Sequence, residues 1–200
     1  LFLCAVIKAA DDYQDLLRIS IASAGNDHRL GAAEAPPAII SMFLGEELTG
    51  ILEAIENDTA CDVRQKELFK VGVHALPRFP KDTTDRNRTS PFAFTGNKFE
   101  FRMLGSSQSI AGPCIVLNTV VAAELEQFAD ALEGAQDFNA ALNELIRKTI
   151  REHKRILFDG NGYDESWIAE AERRGLSNYR TTPEAMPHYV DEKNIALFSK

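Results

Sequence analysis

The sequence predicts an α+β fold in which short antiparallel strands are backed by many helices. Along most of the 200 residues, apolar side chains recur at three-to-four spacing, which is the pattern of amphipathic helices. The segment KFEFRM at 98–103 instead alternates bulky apolar with charged residues at period two, which indicates a strand. With 44% hydrophobic and 26% charged residues, the chain can bury one sizeable core.

The first predicted helix begins at Leu3, and its apolar residues keep helical spacing until a polar, turn-prone stretch begins at residues 23–29. The proline pair at 36–37 excludes a helix there and predicts an extended loop. That loop displays Arg29 and Glu34.

The middle of the chain changes from helix to strand. Residues 41–56 have the apolar pattern of a second helix, whereas three prolines predict irregular structure at 71–91. Two short strands are predicted at 92–94 and 98–103. A hairpin turn at 95–97 would join them.

From Pro113 onward, the sequence predicts helices with clear start and stop signals. Pro113 begins a long helix that runs to about Gly134, and Asp137 caps the next one. A third helix spans about 164–174 before a glycine, and a fourth begins near 181–184 with threonine, proline and glutamate. The buried stripe of the second of these helices is predicted to comprise Phe138, Leu142, Leu145, Ile146 and Ile150.

Charge and composition exclude several classes of partner. A net charge of -8 would repel a phosphodiester backbone, and no basic run would bind DNA or an anionic membrane. The first ten residues are apolar but too few to span a bilayer. The three cysteines are far apart and have no CxxC spacing, which argues against a zinc site or a set of disulfides. Cysteines without disulfides are typical of a reducing, cytoplasmic setting. Both ends look cut from a longer protein, so we expect a fragment.

Two polar segments carry candidate chemistry, but each also has an ordinary interpretation. Lys98, Glu100 and Arg102 share one strand face, as expected where a metal-bound polyphosphate meets an anionic substrate. Judged alone, a solvated charged face is the commoner case. The segment TDRNRTS at 84–90 could clamp a phosphate or be a simple polar loop. The four histidines are isolated in sequence and are interpreted as structural or solvent-facing, and Trp167 as a core residue.

Three motifs occur in order along the chain. They read Arg29-Leu-Gly-Ala-Ala-Glu34-Ala-Pro36, Asn87-Arg88-Thr89 and Lys98-Phe-Glu100-Phe-Arg102. This series resembles the C-terminal half of glutamine synthetases, and the stretch at 79–103 resembles the type III branch. The resemblance covers residues 1 to about 120. Relative to the type I pattern, Lys98 replaces an arginine and Ala93 stands where a second arginine is usual.

This resemblance implies two regions. Residues 1–134 would be part of the glutamine synthetase catalytic domain, with an insertion at about 43–85. Residues 135–200 would be a helical C-terminal extension. The family's remaining metal ligands and its small N-terminal domain are expected upstream of Leu1.

The resemblance also implies how substrates are held. Arg29 and Arg102 would bind glutamate and the transferring phosphate, because guanidinium groups suit planar oxyanions. Glu34 would lie on a loop that closes over the substrates. There it would attract ammonium and accept a proton, as a catalytic general base does.

The nucleotide side of the implied site involves three further residues. Arg88 would be catalytic, neutralising charge on the transferred phosphoryl group, and would also contact ATP together with Lys98. Glu100 would be a ligand to Mg²⁺ or Mn²⁺.

The implied function is ATP-dependent ligation of ammonia to L-glutamate through γ-glutamyl phosphate, with the fragment alone inactive. The whole protein would form a ring-shaped homo-oligomer, expected to be a dodecamer. Two alternatives remain open at this point. One is a γ-glutamyl-amine ligase of the same superfamily, and the other is a non-catalytic helical assembly module.

Overall fold

Helices make up most of the computed structural model, which describes residues 1–59 and 90–200 and the pairing of two short strands between them. The α+β prediction is confirmed. The strands are β1 (Met42–Phe43), β2 (Leu68–Phe69), β3 (Phe79–Pro80), β4 (Phe92–Phe94) and β5 (Phe99–Phe101). The helices are α1 (Phe2–Asp12), α2 (Gln14–Ser20), α3 (Ala24–Arg29), α4 (Glu46–Asn57), α5 (Ala111–Leu132), α6 (Phe138–His153), α7 (Glu165–Arg173), α8 (Thr182–Ala185) and α9 (Glu192–Phe198).

The N-terminal region differs from its prediction in two places. The single helix expected from Leu3 is broken at Tyr13, whose φ of -118° and ψ of 35° separate α1 from α2. The stretch at 23–29 forms α3 rather than a turn. The Ser23 side chain accepts a hydrogen bond from the backbone N–H of Asn26, so these polar residues cap a helix.

The helix predicted at 41–56 is wrong over its first five residues. Met42–Phe43 instead forms β1, which pairs in parallel with Phe92 and Ala93 of a neighbouring strand. Gly45 has a φ of +83° and separates the strand from α4. The Asp159 carboxylate, distant in sequence, accepts from the backbone N–H groups of Leu44 and Gly45 at 3.1 and 3.2 Å.

The predicted hairpin is confirmed and forms the centre of a three-stranded sheet. Strands β4 and β5 pair antiparallel, with Ala93 opposite Glu100. Strand β1 pairs with β4 in parallel, an addition that the sequence pattern did not predict. Strands β2 and β3 form a separate antiparallel pair. The turn at 95–97 includes Gly96 at a φ of +91°.

The helices α6, α7 and α8 begin where predicted, whereas α5 begins at Ala111, two residues before Pro113. Asp137 caps α6 by accepting from the backbone N–H of Ala140, and Asp164 caps α7. Thr181 and a glutamate form the capping box of α8. One prediction is wrong, because Phe138 is 54% exposed. It occupies the first turn of α6, whereas that helix buries residues near its far end.

The core lies where α1 and α2 pack against α5, with α6 against α1. Trp167 is buried as predicted and stacks on Phe158 with ring centroids 3.6 Å apart. The Phe158 backbone N–H bonds to the carbonyl of Met42 at 2.9 Å, which ties this aromatic pair to β1. Within the described ranges, no helix is both long and apolar enough to cross a membrane.

Candidate active site

A cavity of about 630 Å³ brings together four of the predicted site residues. Arg29 and Glu34 come from the end of α3 and the loop that follows it. Glu100 and Arg102 come from β5 and the residue just after it. The two pairs lie more than sixty residues apart in sequence, so only the fold makes them neighbours.

Glu100 lies between two cations, as the alternating pattern predicted. Lys98 Nζ lies 3.1 Å from Glu100 Oε1, and Arg102 Nη2 lies 2.9 Å from Oε2. The hydrogen bond from Arg102, followed by that from Lys98, lowers the pKa of Glu100. The carboxylate is therefore charged at neutral pH. Lys98 itself does not line the cavity and reaches it only through Glu100.

Arg29 is held rigidly by its neighbours. Its Nε donates to Asn26 Oδ1 at 2.9 Å, and its Nη2 donates to the carbonyls of Met103 and Leu104 at 2.6 and 3.1 Å. Among the described residues, none accepts a hydrogen bond from Nη1. That nitrogen can therefore donate to a bound anion without disturbing the others.

Asn26 is a positioning residue that the sequence analysis missed. It is 2% exposed, and its Nδ2 donates to the carbonyls of Ile21 and Met103, each at 2.9 Å. Its side chain thus joins α3 to the segment that follows β5. The available signal was its position three residues before Arg29, which places both on one helix face.

The base of α3 is fixed by a second polar cluster around Asp27. Its carboxylate accepts from Arg18 Nη2 and from the backbone N–H of Thr182, both at 2.6 Å. Burial acts to raise the pKa of Asp27, but the bonds from Thr182 and Arg18 together outweigh it and lower that pKa. The helix that carries Arg29 is therefore anchored on two sides.

The loop that carries Glu34 turns tightly on Gly31. Gly31 has a φ of +79°, and its N–H points at the carbonyls of Ala35 and Pro36 at 3.1 and 2.9 Å. Glu34 is exposed, and its backbone carbonyl accepts from Tyr163 Oη at 3.2 Å. Tyr163 also lines the cavity. It lies 129 residues away in sequence, so no local pattern indicated this contact.

The described residues contain one cluster with metal-ligand chemistry, and it is closed by its own cations. Asp11 accepts from Arg155 Nε at 2.8 Å and lies 2.9 Å from His153 Nδ1, while Asp12 pairs with Lys8. The cluster is buried away from the cavity and has a structural role, as interpreted for His153. Among the described residues that line the cavity, two carry carboxylates, Glu100 on β5 and the exposed Glu34 on the loop.

A divalent ion takes six or more oxygen ligands, so the described residues fit a metal as one part of a larger site. Both Glu100 oxygens already have cationic partners, Lys98 and Arg102, so a metal ion would share this carboxylate with them.

The predicted phosphate residue Arg88, together with most of the segment 84–90, lies outside the described residues.

Comparison with known proteins finds similarity along the whole chain. It is 50% identical over 203 residues to "Type-3 glutamine synthetase" of Dictyostelium discoideum, covering 100% of this chain and 28% of that protein. It is 44% identical to "Glutamine synthetase" of Butyrivibrio fibrisolvens and 44% identical to that of Bacteroides fragilis, covering 100% and 98% of this chain. The chain spans 28% of the length of each of these curated relatives. Residues 141–200 also match the family described as "Glutamine synthetase C-terminal domain".

Proposed function

Since this chain belongs to the glutamine synthetase family, we propose that its protein catalyses ATP-dependent ligation of ammonia to L-glutamate. The reaction would pass through γ-glutamyl phosphate. The relatives are named glutamine synthetases, so the amine-ligase and non-catalytic alternatives are not favoured.

The observation that carries the proposal is the cavity with Arg29, Glu34, Glu100 and Arg102 on its walls. Such a set pairs two guanidinium groups, which bind carboxylate and phosphate, with two carboxylates, which attract cations. Both kinds of charge occur among the substrates, since glutamate and ATP are anions and ammonium is a cation. The mixed lining of this cavity suits that combination.

Arg29 is the proposed glutamate contact. Its guanidinium is fixed by Asn26, Met103 and Leu104, so little side-chain entropy is lost when Nη1 binds a carboxylate. Arg102 is the proposed partner of the transferring phosphate. In the structure its Nε and Nη2 contact Glu100 Oε2, so binding of a phosphate there competes with that pair.

Glu34 is the proposed base for the ammonia step. Its side chain is exposed on a loop at the cavity wall, where a carboxylate can attract ammonium from solution. Proton transfer from ammonium to Glu34 would leave neutral ammonia, whose lone pair attacks the γ-glutamyl carbonyl carbon. The C–O bond to phosphate then breaks, and the departing phosphate takes the proton that the new amide nitrogen loses.

Glu100 is the proposed ligand of this chain to Mg²⁺ or Mn²⁺, which when bound would neutralise charge on the phosphates of ATP. Its pKa is lowered by Arg102 and Lys98, so the carboxylate is available as an ionised ligand. Lys98 and Arg88 are proposed ATP contacts, and Arg88 is also the proposed stabiliser of the transferred phosphoryl group. Further metal ligands would come from other parts of the protein, so we propose that residues 1–200 alone are inactive.

We also propose a division of the chain into two regions and an assembly of the whole protein. We assign residues 1–134 to the catalytic domain, with an insertion at about 43–85, and residues 135–200 to a helical extension. The helical character of α6 to α9 supports the second assignment. A ring-shaped homo-oligomer, expected to be a dodecamer in the cytoplasm, would complete the active site.

The test is a glutamine-synthesis assay on the full-length protein with ATP, glutamate, ammonium and Mg²⁺. We expect glutamine and phosphate in equal amounts, and neither product from residues 1–200 alone. Replacing ammonium by methylamine or ethylamine checks the acceptor. A full-length protein that uses these amines but not ammonium would refute the proposed function, as would one with no ligase activity.

A further inference from the structure

We infer that Tyr163 is a positioning residue for the ammonia step. It holds in place the loop of residues 31–35, called here the Glu34 loop. This inference rests on the proposed function, because it assigns Tyr163 a role through Glu34. The contact joins the helical C-terminal region to the loop at the cavity wall, through the hydrogen bond from Tyr163 Oη to the Glu34 carbonyl.

The loop has few other restraints. Within residues 31–35, the backbone bonds run from Gly31 to Ala35 and Pro36, from Ala32 to Arg29, and from Ala35 to Ala32. All of these lie inside the loop or at its base. In the described part of the chain, the Tyr163 hydroxyl donates the one hydrogen bond that reaches this segment from another region.

Tyr163 itself lies just before α7, a helix that packs into the core. Its backbone N–H bonds to Asn161 Oδ1 at 3.1 Å, and the next residue, Asp164, caps α7. That helix buries Trp167, which stacks on Phe158. The Phe158 backbone bonds to Met42 of β1, and β1, β4 and β5 form one sheet. Tyr163 is therefore connected through the fold to β5, the strand that carries Glu100.

The place of Tyr163 between two cavities supports a positioning role. It lines the 630 Å³ cavity and a second cavity of about 480 Å³, and Leu30, Ala35 and Pro37 also line both. The base of the Glu34 loop and the tyrosine therefore form the partition between these spaces. A loop backed by a second cavity has room to move when its hydrogen bond is lost.

Tyr163 is 44% exposed, so loss of its hydroxyl should leave the core intact. The carbonyl of Glu34 would then bond to water, which keeps the cost of the lost bond small. The consequence should therefore fall on the placement of Glu34 rather than on folding.

The experiment compares Tyr163→Phe with a matched control, Tyr189→Phe, in the full-length protein. Tyr189 is 51% exposed, packs near Phe198 and lines neither cavity. We expect Tyr163→Phe to lower kcat/KM for ammonium about three- to tenfold, the loss that one hydrogen bond explains. KM for ATP and the melting temperature should match those of the control.

Amide hydrogen exchange supplies a readout that does not depend on activity. For Tyr163→Phe, the amides of residues 31–35 should exchange about three- to tenfold faster, while those of α5 stay unchanged. Exchange equal to that of Tyr189→Phe would overturn the inference. So would unchanged kinetics with ammonium, or an equal loss of ammonium and ATP affinity accompanied by a lower melting temperature.

Failure of the proposed function looks different. An inactive wild-type protein would refute the ligase and, with it, any role of Tyr163 in the ammonia step, whatever the exchange rates. An active wild-type protein whose Tyr163→Phe variant equals the control in both measurements would refute the inference alone.

Discussion

Asn26 and Arg29 are joined by a hydrogen bond of 2.9 Å from the guanidinium Nε to the side-chain amide oxygen, and both also bond to the carbonyl of Met103. One backbone carbonyl therefore fixes two side chains of α3. This arrangement aims the guanidinium of Arg29 into the cavity.

The first prediction concerns Asn26→Ala in the full-length protein. The change leaves the carbonyls of Ile21 and Met103 without their Asn26 donor and frees Arg29 Nε, so it should destabilise the fold by about 1–3 kcal/mol. KM for glutamate should rise as well. Thermal unfolding and kinetics test both effects, and Asn118→Ala is the control, because Asn118 is exposed on α5. An unchanged KM for glutamate in a folded Asn26→Ala protein would show that Arg29 needs no such support.

The second prediction is that Arg29→Ala weakens glutamate binding while ATP affinity stays nearly the same. Losing a charged hydrogen bond to a carboxylate should raise KM for glutamate by about tenfold or more. Steady-state kinetics with each substrate varied in turn provide the measurement. If the affinities for glutamate and ATP fall equally, Arg29 does not contact glutamate specifically.

The third prediction is that Glu100→Ala reduces turnover by about 100-fold or more, because it removes a proposed metal ligand. Any residual activity of Glu100→Ala should need a higher Mg²⁺ concentration to reach half of its maximum, because the remaining site binds the ion less tightly. The control is Glu53→Ala, which removes an exposed carboxylate from α4. Normal turnover of Glu100→Ala at low Mg²⁺ is incompatible with the metal role.

The fourth prediction concerns pH and Asp27. The folded-state pKa of Asp27 is lowered, so its stabilising contribution is present above the unfolded value of about 3.9 and is lost as pH falls through the folded pKa. Asp27→Asn should therefore cost about 2 kcal/mol at pH 7, since Arg18 loses a charged acceptor.

The measurement is the difference in melting temperature between wild type and Asp27→Asn across pH. It should stay constant from pH 7 to 5 and shrink below about pH 4. A difference that instead widens on acidification would mean that Asp27 is stabilised in its protonated form.

Local signals in the sequence account for much of the fold. The period-two pattern at 98–103 predicted the hairpin strand, because alternate side chains of a strand share a face. Asp137, Asp164 and the box at 181–184 predicted three helix starts, because a capping bond spans only two or three residues. Local signals gave a wrong prediction at Tyr13, because the apolar pattern continues where the backbone leaves the helical conformation between α1 and α2.

By itself the sequence determined the type of chemistry available, through the residues Arg29, Glu34, Glu100 and Arg102 and the family motifs that contain them. Only the tertiary structure decided which other residues hydrogen-bond to these side chains and to the loop that carries Glu34. The bonds from Asn26 to Met103 and from Tyr163 to Glu34 connect residues 77 and 129 positions apart. The parallel pairing of β1 with β4 likewise joins distant segments. Such contacts arise from burial and hydrogen bonding in the folded chain, and no local periodicity encodes them.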